Sequence, residues 1–164
     1  MTGMVALPEA NKFITVSDQG QVIVAAISTG EELQSFCPLE WNRHALKSLI
    51  ELPERKSIVA TDHAGHVYIW SYEPEVELTV KLDLPTKEEV RGLQVINNML
   101  CVGQIDGLVT LYDMGAPGKE KFTKPITQFN GKAGVRVICM RDKPRREIIT
   151  GDNTGVITVW DLKS

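Results

Sequence analysis

Short apolar runs alternate with turn residues along this chain, and the alternation repeats with a long period. Residues 14–25, 59–70, 101–112 and 149–160 align without gaps. Each stretch begins with an apolar, β-branched run of the kind that fits a pleated, half-buried strand. A polar turn follows and closes on glycine, the residue that tolerates positive φ in a tight hairpin. A second run then alternates, as Val67 and Ile69 do against Tyr68 and Trp70. The anchor glycines Gly20, Gly65, Gly107 and Gly155 stand 45, 42 and 48 residues apart. Unrelated hairpins would not hold that interval.

A further apolar segment lies about twenty residues before each anchor glycine, at 4–7, 46–52, 90–96 and 135–140. Another follows each of the first three, at 31–36, 76–84 and 125–129. The pattern therefore predicts four short strands per unit, with the last unit lacking its outer strand. Only residues 87–93 could be misread as a helix. The units span approximately 4–37, 45–84, 90–130 and 134–164. A four-stranded unit of this length cannot bury both of its faces alone, so neighbours must stack. Stacked radially, such units form a β-propeller.

The last unit reads Gly151-Asp152-Asn153-Thr154-Gly155 and ends Val159-Trp160-Asp161-Leu162. This resembles the WD-repeat signature. The Trp position is occupied by Ala25, Trp70, Tyr112 and Trp160, and the Asp position by Ala26, Ser71, Asp113 and Asp161. The resemblance covers essentially the whole chain. It implies an all-β fold of antiparallel propeller blades, within a ring of seven or eight. It also implies a eukaryotic intracellular protein, cytoplasmic or nuclear, that binds other proteins. Two departures stand out. Where the family carries a histidine ahead of the first strand, this chain has Asn42, Thr86 and Gly131, with His44 two places off. Four units are also too few for a comfortable ring. An open stack exposes apolar faces and strand edges, so the remaining blades are expected from a longer parent chain, a second copy or a partner.

Composition adds exclusions. The chain has 164 residues, 43% of them hydrophobic and 24% charged, which suits a globular protein with a core. No apolar run approaches the roughly 20 residues of a membrane helix, and the start is not that of a signal peptide. The three cysteines, Cys37, Cys101 and Cys139, are widely spaced; Cys101 and Cys139 read as small buried hydrophobes in a reducing compartment. There is no CxxC pair, phosphate loop or nucleophile elbow. No metal site, cofactor or catalytic activity is expected.

The net charge of −3 hides an uneven distribution: residues 1–118 carry −8 and residues 119–146 carry +7. Lys119 and Lys121 occupy one loop, and Arg141, Lys143, Arg145 and Arg146 another. In the resembled fold these loops share a face, and the alternative function is an acidic-lipid or nucleic-acid site there. Paired arginines in a Phe-Arg-Arg-Gly motif mark some lipid-binding propellers, and Arg145-Arg146 lacks those flanks. Trp160-Asp161-Leu162-Lys163 approaches a Trp-Asp-x-Arg docking ending, with lysine lacking the planar fork.

The protein-binding candidates are Trp41, Arg43 and His44 in a polar linker, and His63, Ile105 and Asn153 at the turn tips. With the linker at 131–134, these tips form the preferred contact surface. Asp62 and Asp152 are expected to satisfy backbone donors in their own turns. His63 and His66 read as exposed hairpin residues, and Trp70 and Trp160 as core.

Overall fold

The computed structural model describes residues 1–37, 45–117 and 125–162. It divides into two compact units, Met1–Lys87 and Glu88–Ser164, and each holds two antiparallel sheets. The first sheet runs β1 (Gly3–Leu7), β2 (Lys12–Val16), β3 (Val22–Ala26) and β4 (Glu32–Phe36) in spatial order. The second runs β5 (Leu46–Leu52), β6 (Ser57–Asp62), β7 (His66–Ser71) and β8 (Glu77–Asp83). In the other unit, the third sheet comprises β9 (Val90–Ile96), β10 (Met99–Gln104), β11 (Leu108–Asp113) and β12 (Pro125–Asn130). The fourth is three-stranded among the described residues: β13 (Val135–Arg141), β14 (Glu147–Asp152) and β15 (Ile157–Asp161). This is the expected all-β arrangement of meandering antiparallel blades. The helix-like stretch at 87–93 leads into β9.

The connections follow from local chemistry. Pro8 and Pro53 each open a single 3-10 turn, at Pro8–Ala10 and Pro53–Arg55, where the fixed proline φ is already suitable. The hairpins between second and third strands close on the four anchor glycines, with φ of 74°, 76°, 92° and 86°. In three of them the residue at the turn head caps the turn. The Ser17 hydroxyl accepts from the amides of Gln19 and Gln21, Asp62 Oδ1 from Ala64 and His66, and Asp152 Oδ1 from Thr154 and Val156. Repeating the same cap fixes the register of successive hairpins.

Period-two alternation gives each sheet two faces. In the first unit, Leu7, Ile14, Val16, Val22 and Val24 of one sheet share a core with Leu46, Ile58, Ala60, Tyr68 and Trp70 of the next. Gly3 makes room there, because a Cβ would lie 3.2 Å from that of Leu49. The second unit repeats the device more tightly. A Cβ at Gly92 or Gly103 would meet Ile138 atoms at 2.6 Å, so the two glycines form a seat for that side chain. Leu49 and Ile138 occupy the same place in β5 and β13, three residues after Leu46 and Val135.

Candidate functional site

Asp62 organises a local hydrogen-bond network in the second sheet. Asp62 is fully buried. Its Oδ1 takes the two turn amides; its Oδ2 accepts the Tyr68 hydroxyl at 3.0 Å and lies 2.7 Å from His66 Nδ1. His66 is therefore not an exposed hairpin residue: its side chain is only 17% exposed, and its Nε2 lies 3.5 Å from Asp83. Nor does Asp62 serve its own backbone alone, because a buried carboxylate needs more partners than one turn supplies. Burial, then the Asp62 charge, push the Tyr68 pKa well above the usual tyrosine range. Asp152, by contrast, keeps both the backbone bonds and a 2.7 Å bond from Thr154 Oγ1. These bonds, that of the Thr154 side chain foremost, hold its carboxyl below the usual carboxylate range.

At the turn tips, Ile105 is 38% exposed, and His63 and Asn153 are exposed. All three are also tied to the linkers that begin their own sheets. His63 Nδ1 accepts the amide of Ala45, while the Ile105 amide donates to Glu89 O and that of Asn153 to Gly134 O. The glycine linker at 131–134 packs on the third hairpin: a Cβ at Gly134 would come within 2.3 Å of the Ile105 carbonyl oxygen. Trp41, Arg43 and His44 lie outside the described residues, as do Lys119, Lys121 and Lys163. Of the remaining basic candidates, Arg141 donates to Glu147, and Arg146 Nε to Asp142 at 3.0 Å. Lys143 and Arg145 are exposed. These two ion pairs reduce the positive charge that the loop presents.

The repeat tryptophans each meet an aromatic ring of the preceding sheet that the sequence pattern did not single out. Phe36 in β4 meets Trp70 at 6.4 Å, edge to face, and Phe129 in β12 meets Trp160 at 5.0 Å. Both phenylalanines pair with the valine two residues after an anchor glycine, Val22 and Val109. That shared offset was the available signal. The two tryptophans differ in their surroundings. Trp70 is fully buried and stacks on Tyr68 at 5.7 Å with planes 4° apart. Trp160 is half-buried, and its Nε1 donates to Thr150 Oγ1 at 3.1 Å. At the position of Tyr68 the fourth sheet has Thr158. Beside it opens a pocket of about 440 Å³ whose lining includes Val109, Val135, Asp152, Thr158 and Trp160. Tyr112, at the same repeat position, is buried; Asp161 is exposed.

The fourth sheet's other face is apolar and open. Val137, Gly151 and Ile157 pair in one row, and Cys139, Ile149 and Val159 in the next. Val137, Ile157 and Val159 are 63%, 73% and 56% exposed. On the first sheet, the row Met4, Thr15, Ile23 and Ser35 faces away from the shared core, with Met4 60% exposed. Among the described residues, no group of acidic, histidine and cysteine side chains could hold a metal ion. No helix there is long and apolar enough to cross a membrane.

No protein-family model and no curated protein sequence matches the chain. Solved structures do. The computationally designed Ika4 protein is similar over 93% of this chain and 86% of its own, with a TM-score of 0.73 and 17% identity. The computationally designed Ika8 protein gives 0.71 and 17%, over 93% of this chain and 43% of its own. Sqt1 of Saccharomyces cerevisiae gives 0.77 and 12%, over 93% and 42%. The chain thus spans less than half the length of the latter two. At these identities the likeness is one of fold, and the fold is that of antiparallel β-propeller blades.

Proposed function

We propose that this chain is a non-catalytic, WD-repeat-type scaffold that binds other proteins and forms part of a larger propeller. The remaining blades come from a longer parent chain or from a second copy. The observation that supports this reading is the open face of the fourth sheet. Its three exposed β-branched residues surround Gly151, the repeat equivalent of Gly103, and Gly103 seats a side chain of the next sheet. A face of this kind on a stable protein belongs inside an interface. The matching contribution comes from Met4, which holds on β1 the place of Leu49 and Ile138. The protein-binding surface of the completed assembly comprises the turn tips at His63, Ile105 and Asn153 with the linkers beside them. The resemblance to WD repeats supports an intracellular, cytoplasmic or nuclear setting. Acidic-lipid or nucleic-acid binding is less well supported, given the ion pairs of Arg141 and Arg146.

The test is the molar mass of the 164-residue chain at micromolar concentration. Self-association is expected, and Ile157→Lys or Met4→Lys should each release monomer with the fold intact by circular dichroism. A monodisperse monomer from the parent sequence would overturn the reading.

A further inference from the structure

We propose that the pocket beside Trp160 receives a tyrosine side chain presented by a protein partner. The chain itself shows what belongs in this place. In the second sheet, the corresponding positions are Asp62, Tyr68 and Trp70. There the phenol ring lies flat on the indole and its hydroxyl donates to Asp62 Oδ2. In the fourth sheet the indole remains as Trp160 and the carboxylate as Asp152, but Thr158 replaces the tyrosine. Thr150 and Thr158 pair as Ala60 and Tyr68 do. The aromatic platform and the acceptor are thus both present, and the ring between them is missing. The pocket that results is about 440 Å³ and includes all three residues in its lining.

The details favour a phenol. Trp160 is only half-buried here, whereas Trp70 under its tyrosine is fully buried. The indole face therefore has apolar area to gain from a stacked ring. The hydrogen bonds from Thr154 N, Thr154 Oγ1 and Val156 N to Asp152 fall on Oδ1. Oδ2 is the oxygen that, in Asp62, takes the tyrosine hydroxyl. A site that offers a carboxylate to a hydroxyl discriminates against the ring lacking one, because the acceptor would be desolvated without a partner. The same carboxylate repels a phosphorylated tyrosine. Val109 and Val135 supply apolar wall, and Lys132 also lines the pocket.

The experiment uses the whole chain and follows its three tryptophan indole N–H signals by NMR, with Trp160 identified from Trp160→Phe. N-acetyl-tyrosinamide is titrated against N-acetyl-phenylalaninamide and the phosphotyrosine analogue. The tyrosine probe should move the Trp160 signal at about tenfold lower concentration than the phenylalanine probe, and the phosphorylated probe should not move it. Asp152→Asn keeps an oxygen for the turn amides and removes the second acceptor, so it should erase the preference for tyrosine. Thr158→Tyr rebuilds the second sheet's arrangement and should abolish the response. No response in the parent chain, an equal response to tyrosine and phenylalanine, or an undiminished response in Thr158→Tyr would each overturn the proposal. None of these outcomes bears on self-association, because Thr158 and Ile157 point to opposite faces of β15.

Discussion

The rings of Phe36 and Trp70 meet in a T-shaped contact, with centroids 6.4 Å apart and planes at 81°. Phe129 and Trp160 also meet in the other unit, at 5.0 Å and with planes tilted by 34°. The outer strands β4 and β12 thus each place an aromatic side chain against the indole of the next sheet, and aromatic pairs at such separations add to the area they bury. Phe36→Ala should lower stability by about 2 kcal/mol, less than a fully buried phenylalanine because Phe36 retains some exposure. The measurement is the urea midpoint at unchanged slope. A loss below about 0.5 kcal/mol would mean that the contact contributes little.

This contact shows where sequence reading stops. The strands, hairpins and repeat period were legible because period-two alternation and the anchor glycines act locally. The glycines recur because the hairpin requires positive φ, and all four have it. What one sheet does to the next carries no such period. Phe36 and Phe129 look like ordinary strand residues until Trp70 and Trp160 lie beside them. Gly92 and Gly103 look like weak strand residues until Ile138 enters the space they leave. His66 departs from its turn position for a related reason. Turn position alone suggests exposure, while the buried Asp62 and Tyr68 beside it draw the imidazole inward. In the fourth sheet Thr158, which lines the pocket, stands where the second sheet has the buried Tyr68, and the repeat alignment treats the two as equivalent.

Asp152 makes stability depend on acid. Its folded-state pKa lies below its ordinary value of 3.8, held down by the Thr154 side chain and the turn amides. The stabilisation is therefore fully present above the unfolded pKa and fades as pH falls through the folded one. Asp152→Ala should lower the Tm at pH 7, and the gap from the parent chain should narrow below about pH 4. Parallel Tm curves across that range would show that the carboxylate charge adds nothing to the turn.

The cysteines report on the open face. Burial pushes the Cys101 thiol up to about 12, so it carries almost no thiolate at pH 8 and should resist thiol reagents until the chain unfolds. Cys37 is exposed, and so, contrary to the burial expected from its apolar run, is Cys139, because it lies on the uncovered face of the fourth sheet. In the Ile157→Lys variant, two of the three cysteines should react with an aromatic disulfide reagent at pH 8, and the third only in denaturant. In the parent chain Cys139 should react more slowly, since it lies on the face proposed to be covered. Equal Cys139 rates in the two proteins would place the association elsewhere.

Gly103 and Gly151 occupy the same repeat position, and alanine at each should have a different consequence. At Gly103 a Cβ would lie 2.6 Å from both Ile138 Cδ1 and Val135 Cγ1, inside a packed core. Overpacking there should cost about 1–3 kcal/mol in the folding equilibrium of the chain. At Gly151 the nearest contact is Val137 Cγ2 at 2.9 Å. Val137 is largely exposed, so its side chain can turn away, and alanine also restricts the unfolded strand more than glycine does. Folding stability should then stay within about 0.5 kcal/mol of the parent. If Gly151 is a seat for another sheet, the added methyl and the displaced Val137 instead weaken self-association, and the monomer fraction rises at fixed concentration. The pair separates two roles for one residue type. Urea unfolding of the monomeric Ile157→Lys background measures the first, and sedimentation of the parent background the second. Loss of folding stability at Gly151 equal to that at Gly103 would mean that the fourth sheet's face is already packed in the isolated chain.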